Sequence, residues 1–433
     1  MVHLHRRAGF AAIWREIERD LADGPQASVE RILRGEARGE GISDDFTRLA
    51  DVIGDAAAGS SMPDRLKAWW LYRMLFTPDP LSERLALLWH NHFATSNLKV
   101  RDLQAMRRQN ELFRRHGRGL FGELLTAVLH DPALLVWLDA DSNRKGYANE
   151  NLARELMELF TLGIGHYAEA DVKAAARALT GWSVVSGGFR VREELHDDGE
   201  KTILGQTGRW NGDDLVRIVL EHPATARRLA VRLCGEFLGE GVVGDAHIEA
   251  LAAGLREHDL DIGWAVETIL RSELFFSEAN LRSRVISPAE FVVGAVRALE
   301  LFAPPPSTLV LAEWTARLGQ DLFYPPNVGG WNGGRQWLTA AGIIGRANFA
   351  AALVEGRLTA PPQPPDVAAL AGRHGRGGAA EDVVAFLAGL LSGGEPRDGW
   401  IEEIVGDANN GGSPESLRRA EALVLASPEV QLG

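Results

Sequence analysis

The sequence predicts a mostly α fold, a multi-helix globular bundle with one small β-hairpin excursion near residues 183–204. Apolar residues recur three or four positions apart in segment after segment, the period of a helix that buries one face. Strand-like alternation is confined to one short stretch. Of 433 residues, 45% are hydrophobic and 24% charged, an ordinary globular balance for one large unit or two closely packed ones.

Taken in order, residues 10–22, 64–76, 81–93 and 120–129 each carry the helical period. So do residues 213–222, 224–238, 262–276, 288–302 and 342–356. Between the two groups, SVVSGGFRVREEL at 183–195 alternates and turns at Gly187 and Gly188, which predicts a hairpin that presents the loop HDDGEK, His196 to Lys201. Proline and glycine punctuate the chain at 304–306, 324–334 and 359–366. The expected organisation is a main helical domain over 1–356, a Pro/Gly-rich linker or loop over 357–380, and a C-terminal helical hairpin over 381–433 packed on the main domain.

A formal net charge of -13 argues against a partner that tracks nucleic-acid phosphates, and the best basic patch, RRHGRG at 114–119, is short. The single cysteine, Cys234, sits in an apolar run and rules out a disulfide framework or a Cys-based zinc site within one chain. No stretch approaches the ~18 apolar residues of a membrane span, and residues 1–17 lack the apolar core of a leader. The expected location is cytoplasmic as the chain stands, or periplasmic or secreted if a leader was removed.

The segment from Leu138 to Trp182 mixes carboxylates, amides, histidines and lysines into a strongly helical pattern. Arginine is the usual cation here, yet Lys145, Lys173 and Lys201, three of the few lysines, lie in or beside it. A helix starting near Asn149 has that residue as a cap and Glu150 in its first turn. Leu152, Leu156 and Leu159 form its core stripe, and Asn151, Glu155 and Glu158 share an adjoining band about 60° wide. Two carboxylates one turn apart call for a cation between them; Arg154 is a candidate partner of Glu158 four residues on. In WHNHF, His90 and His92 point about 200° apart if the helix continues, and converge only in a turning backbone. HDDGEK offers hard oxygen ligands or an acid/base pair, and equally a solvated turn. The loop from Gly319 to Leu338 interleaves Tyr324, Trp331 and Trp337 with Gly, Pro and Asn, which suits a rigid pocket wall or a plug of the helical core.

No dinucleotide, P-loop, GxSxG, HExxH or di-iron Glu-x-x-His pattern is present. The chain resembles the DUF 1800 family of bacterial proteins through HLHRRAGF, LALLWHNHFATS, NENLARELMELFTLGIGHY, HDDGEKTILG, SPAEFVVGAVRAL and LGQDLFYPPNVGGWNGGRQWL, in the family's order. The resemblance implies a single, largely helical unit, and a sulfatase-like or phosphatase-like partner encoded nearby. At Ala168 relatives carry Thr or Ser, a missing cap that costs about 1 kcal/mol locally.

Two functions follow as expectations. One is a metal-dependent enzyme with its site between the 149–163 helix, the 196–201 loop and the 89–93 motif. A divalent metal of unspecified identity would be held by Glu155, Glu158, His196 and one of His90 or His92, with Asp197 as ligand or orienting group and Lys201 or Arg154 facing a developing anion. Asn151, Tyr324, Trp331 and Trp337 would then contact substrate. The other is a non-catalytic binding or assembly protein in which these groups form an internal polar network.

Overall fold

The computed structural model describes residues 1–36, 43–393, 397–408 and 413–433. Among these, helices dominate and only two small two-stranded antiparallel sheets occur, so the fold is mostly α. The central helices, Pro63–Phe76 and Pro80–His92, each begin on a proline, whose fixed φ suits the first helical position. Asp79 caps the second by accepting the Ser82 N–H at 3.1 Å. Together they bury Trp69, Trp70 and Trp89 completely against Phe93, Phe113, Phe121 and Phe160. At roughly 25 cal/mol per Å2 of apolar surface, burial of these rings together with the surrounding leucine, valine, isoleucine and alanine side chains is the main driving force of the fold. Glu83 lies inside this core and is satisfied by the Trp70 indole at 3.0 Å and by Arg73 and Arg114 at 2.7 Å each.

The hairpin expected at 183–195 forms from Trp182–Val185 and Gly188–Val191. Ser186 and Gly187 at its tip both have positive φ, the geometry that follows the strands' right-handed twist. A second hairpin, Lys201–Ile203 with Gln206–Gly208, turns at Leu204 and Gly205, also both at positive φ. The excursion is therefore two hairpins, with HDDGEK joining them.

Residues 357–380 contain a helix, Val367–Arg373, capped by Asp366 through the Ala369 N–H at 2.8 Å. Beyond it lie three helices, Ala380–Ser392, Trp400–Asp407 and Pro414–Ala426, where a two-helix hairpin was expected. The first and last stretches of the chain are joined. In the N-terminal helix Val2–Arg7, the Arg6 guanidinium donates to the carbonyls of Leu391 and Val430, and Arg7 donates to Gly433 at 2.7 Å and to Asn280 at 3.1 Å. Backbone bonds between Arg284 and Gly433 and between Ile286 and Gln431 complete the seam. No described helix is long and apolar enough to cross a membrane.

Candidate functional site

The groups expected to hold a metal are not brought together. The helix runs unbroken to His92, so His90 and His92 leave it on opposite sides. His90 is wedged among the rings of Trp70, Phe323 and Trp331, with centroids 5.2 to 5.6 Å away. Burial pushes its imidazole down to about 3. His92 donates through Nε2 to the Phe160 carbonyl at 3.1 Å, and burial, then the nearby Arg232 charge, lowers it to about 3 as well. Both are neutral core histidines.

The 149 helix departs from the expected wheel. Glu150, rather than Asn149, is the residue that precedes its first turn, and its side chain makes no capping bond; Asn149, one position earlier, accepts the Asn151 N–H at 2.9 Å. After Asn151–Glu155, however, Leu156–Thr161 forms a π turn, in which the Leu162 N–H reaches the Met157 carbonyl and the Thr161 hydroxyl the Leu156 carbonyl at 2.6 Å. A wider turn breaks the 100° spacing, and the Arg154–Glu158 pair does not form. Arg154 instead pairs with Glu150 at 2.9 Å and with Glu169 at 2.8 Å, while Glu158 accepts from the Tyr167 hydroxyl at 2.8 Å. Burial, then the Glu158 charge, raises the Glu155 carboxyl. Asn151 is exposed and reaches Asp139 at 3.4 Å.

HDDGEK is consumed by its own contacts. His196 donates through Nδ1 to the Thr180 carbonyl at 3.0 Å. Asp197 accepts from Arg177 at 2.7 and 3.1 Å and from the Gly199 N–H at 2.9 Å, and the Arg177 bonds hold its carboxyl down at about 2. Lys201, 2% exposed, donates to the carbonyls of Asp197 and Gly199, with burial lowering its pKa. Asp198 pairs with Lys145 at 2.7 Å. Among the described residues, no three His, Cys, Asp or Glu side chains are grouped to hold a metal ion. Ala168 supplies no side-chain cap to the helix that follows it; Asp171 accepts the Ala168 N–H at 2.8 Å and the Leu204 N–H at 2.8 Å, tying the helix to the second hairpin.

What does converge is a cavity of about 430 Å3, built from segments far apart in the chain. Helix Pro223–Phe237 presents Arg228, Arg232, Gly235 and Glu236, spaced four, three and one, as a single stripe. The end of Pro80–His92 adds Asn91. The start of Pro288–Ala298 adds Ser287 and Glu290, with Arg284 just before it. The loop over 319–338 closes the wall with Trp331, Asn332 and Trp337. Tyr324 does not line it; that ring lies under the Lys67 ammonium at 4.6 Å, and its hydroxyl accepts from Asn97 at 2.8 Å.

The loop is pinned by one side chain. Asn91 Oδ1 accepts the Trp331 N–H at 2.7 Å and its Nδ2 donates to the Trp331 carbonyl at 3.3 Å, satisfying both backbone groups as a neighbouring strand would. The preceding Gly330 has φ +76°, and a Cβ there would meet Asn91 Oδ1 at 2.2 Å, so the clamp requires glycine. Trp331 is 7% exposed and sits over His90.

Part of the cavity wall belongs to an ion cluster. Ser287 caps its helix and Glu290 closes the reciprocal box, accepting the Ser287 N–H at 2.8 Å. The same carboxylate pairs with Arg284 and Arg84, and Arg84 also pairs with Glu236 at 2.6 Å. Arg84 is close to both carboxylates but poorly aligned for hydrogen bonds, so its contribution is mainly Coulombic. Burial pushes the Glu290 carboxyl up, and Arg284 and Arg84 more than offset that, holding it well below the usual range. The sequence signals of this site are the Ser287/Glu290 box and Arg228 and Arg232, four apart on one face of a helix that also carries Arg227 and Glu236; neither belongs to a standard catalytic or metal-binding motif.

A mostly helical fold around an arginine- and tryptophan-lined cavity defines the class of molecule. Within it, the chain belongs to the DUF1800 family, described as a protein of unknown function, whose model matches residues 3–432. No curated protein and no solved structure matches the chain.

Proposed function

We propose that this chain is a non-catalytic binding protein whose ligand occupies the cavity between Asn91, Arg232, Glu290 and Trp331. One observation carries the reading: three of the family-like segments, those containing Asn91, Glu290 and Trp331, meet at this cavity, while His92, Arg154, Glu158, His196, Asp197 and Lys201 are held in contacts elsewhere in the fold. Its size suits a small molecule, with flat aromatic surface and a few fixed polar groups, and its mouth at Glu240 and Asn332 is exposed. A sulfatase-like protein encoded nearby remains the proposed partner for such a carrier.

The test fills the cavity. Gly235 lines it, and a Cβ there meets nothing within 4 Å, so Gly235→Trp occupies the space without disturbing the helix. Inorganic phosphate, succinate and sucrose are titrated into both proteins while tryptophan fluorescence is followed. At least one should perturb the wild type saturably and fail with Gly235→Trp; identical responses from the two proteins refute the reading.

A further inference from the structure

We infer that the cavity takes a small molecule bearing a dianionic oxyanion group, seated on the guanidiniums of Arg228 and Arg232 with its less polar body on Trp331 and Trp337. The inference rests on the reading of the cavity as the ligand site and adds the chemical class.

Charge accounting around the wall leads there. Glu290 is engaged by Arg84 and Arg284, and Glu236 by Arg84. Glu240 stands exposed at the rim. Arg228 and Arg232, one helical turn apart, are left over: neither has a carboxylate within 4.0 Å among the described residues, although both line the cavity. Arg228 has one hydrogen bond, through Nη2 to the Leu159 carbonyl at 3.3 Å. Arg232 Nε is buried without any acceptor. Like charges at this spacing repel along a helix, and burial lowers the pKa of both guanidiniums.

Two half-buried cations held side by side weaken the empty protein, because their desolvation is only partly offset by the charges of Glu158, near Arg228, and Glu236, near Arg232, both beyond salt-bridge distance. A ligand that brings two negative charges removes both penalties at once. Guanidinium forks match phosphate and carboxylate oxygens in two-point contacts, and a pair of forks brackets one tetrahedral oxyanion or two carboxylates of one short chain. Indole faces supply apolar area for the remainder of the molecule.

Inorganic phosphate is the primary probe, titrated calorimetrically at low ionic strength, with succinate, acetate and sucrose beside it. Phosphate or succinate should bind saturably, acetate at least tenfold more weakly, and added salt should weaken binding. Preference for phosphate identifies a phosphate ester as the source of the charge, and preference for succinate a dicarboxylate. Arg228→Met and Arg232→Met should each weaken binding at least tenfold and, in the absence of any anion, raise the unfolding midpoint. Arg232→Lys, which keeps charge and loses the fork, should fall between. Arg217→Met, which breaks a solvent-exposed pair with Glu221, should do neither. If Arg232→Met lowers the midpoint of the anion-free protein and leaves phosphate affinity within twofold of wild type, the guanidiniums are structural and the inference is overturned. If sucrose alone binds, and Gly235→Trp blocks it, the anion inference fails while the cavity reading stands. If none of the probes binds, both fall.

Discussion

Replacing Glu290 by glutamine removes one negative charge from the centre of the ion cluster and changes almost nothing in shape. Glutamine can still accept the Ser287 N–H, so the helix cap is retained and the effect is electrostatic. Arg284, with 12% side-chain exposure, loses the carboxylate it pairs with, while Arg84, at 1%, keeps Glu236. Stranding one buried charge typically costs about 3–5 kcal/mol, and because Arg84 is only half deprived the expected loss is near the lower end, about 3 kcal/mol. The double variant Arg284→Met/Glu290→Gln removes the stranded cation and should recover about 2 kcal/mol of it. Urea unfolding followed by far-ultraviolet circular dichroism measures both values. Glu313→Gln, which opens an exposed pair with Arg317, is the control and should cost less than about 0.5 kcal/mol. The sign with pH is also fixed: a carboxyl held below its unfolded value contributes stability above that value, lost as pH falls through the folded pKa, so wild type and Glu290→Gln should converge in acid. A Glu290→Gln loss under 1 kcal/mol, or no recovery in the double variant, refutes the picture of a charge-balanced cluster.

Two further changes probe the neighbourhood. Asn91→Leu deletes both bonds to Trp331, worth about 2 kcal/mol together and about 4 if the freed groups stay dry, so exchange of the Trp331 amide should accelerate by at least about 30-fold; unchanged protection would contradict the clamp. Asp131, buried beside Gln109 and the Leu134 N–H, has its carboxyl pushed up to about 7 by burial, so the stability it lends is present in acid and lost as pH rises through 7. The stability of wild type relative to Asp131→Asn should therefore decline between pH 4 and 8, by at most about 4 kcal/mol, and a flat difference across that range would show that the carboxyl is not neutral in the fold.

The sequence made the helices legible because their cues are local. Pro63, Pro80 and Pro288 open helices, and Leu152 and Leu156 face inward. Where the physics was not local, the reading failed. The π turn at Leu156–Thr161 depends on what packs around it, so a fixed 100° wheel put Glu158 beside Arg154 instead of Tyr167. The turn at Leu204 and Gly205 puts a leucine at positive φ, which no turn signature advertises. HDDGEK looked chemically rich because its charges are dense, but density alone does not separate a ligand set from a loop whose charges satisfy one another, as Arg177, Lys145 and Lys201 do here. The continuing helix did force His90 and His92 apart, as their spacing required. The cavity was out of reach because Asn91, Arg232, Glu290 and Trp331 come from four separated segments, and only tertiary packing makes them neighbours.

The seam between the N-terminal helix and the end of the chain has a consequence in time. A ribosome adding about 5–20 residues per second makes Arg7 and the residues around position 430 roughly 20 to 85 s apart. Throughout that interval Arg6 and Arg7 lack the carbonyls of Leu391, Val430 and Gly433 that receive them in the finished fold. This helix is thus among the last of these elements to find its place, and the nascent chain carries its two arginines without their acceptors while more than four hundred further residues are made.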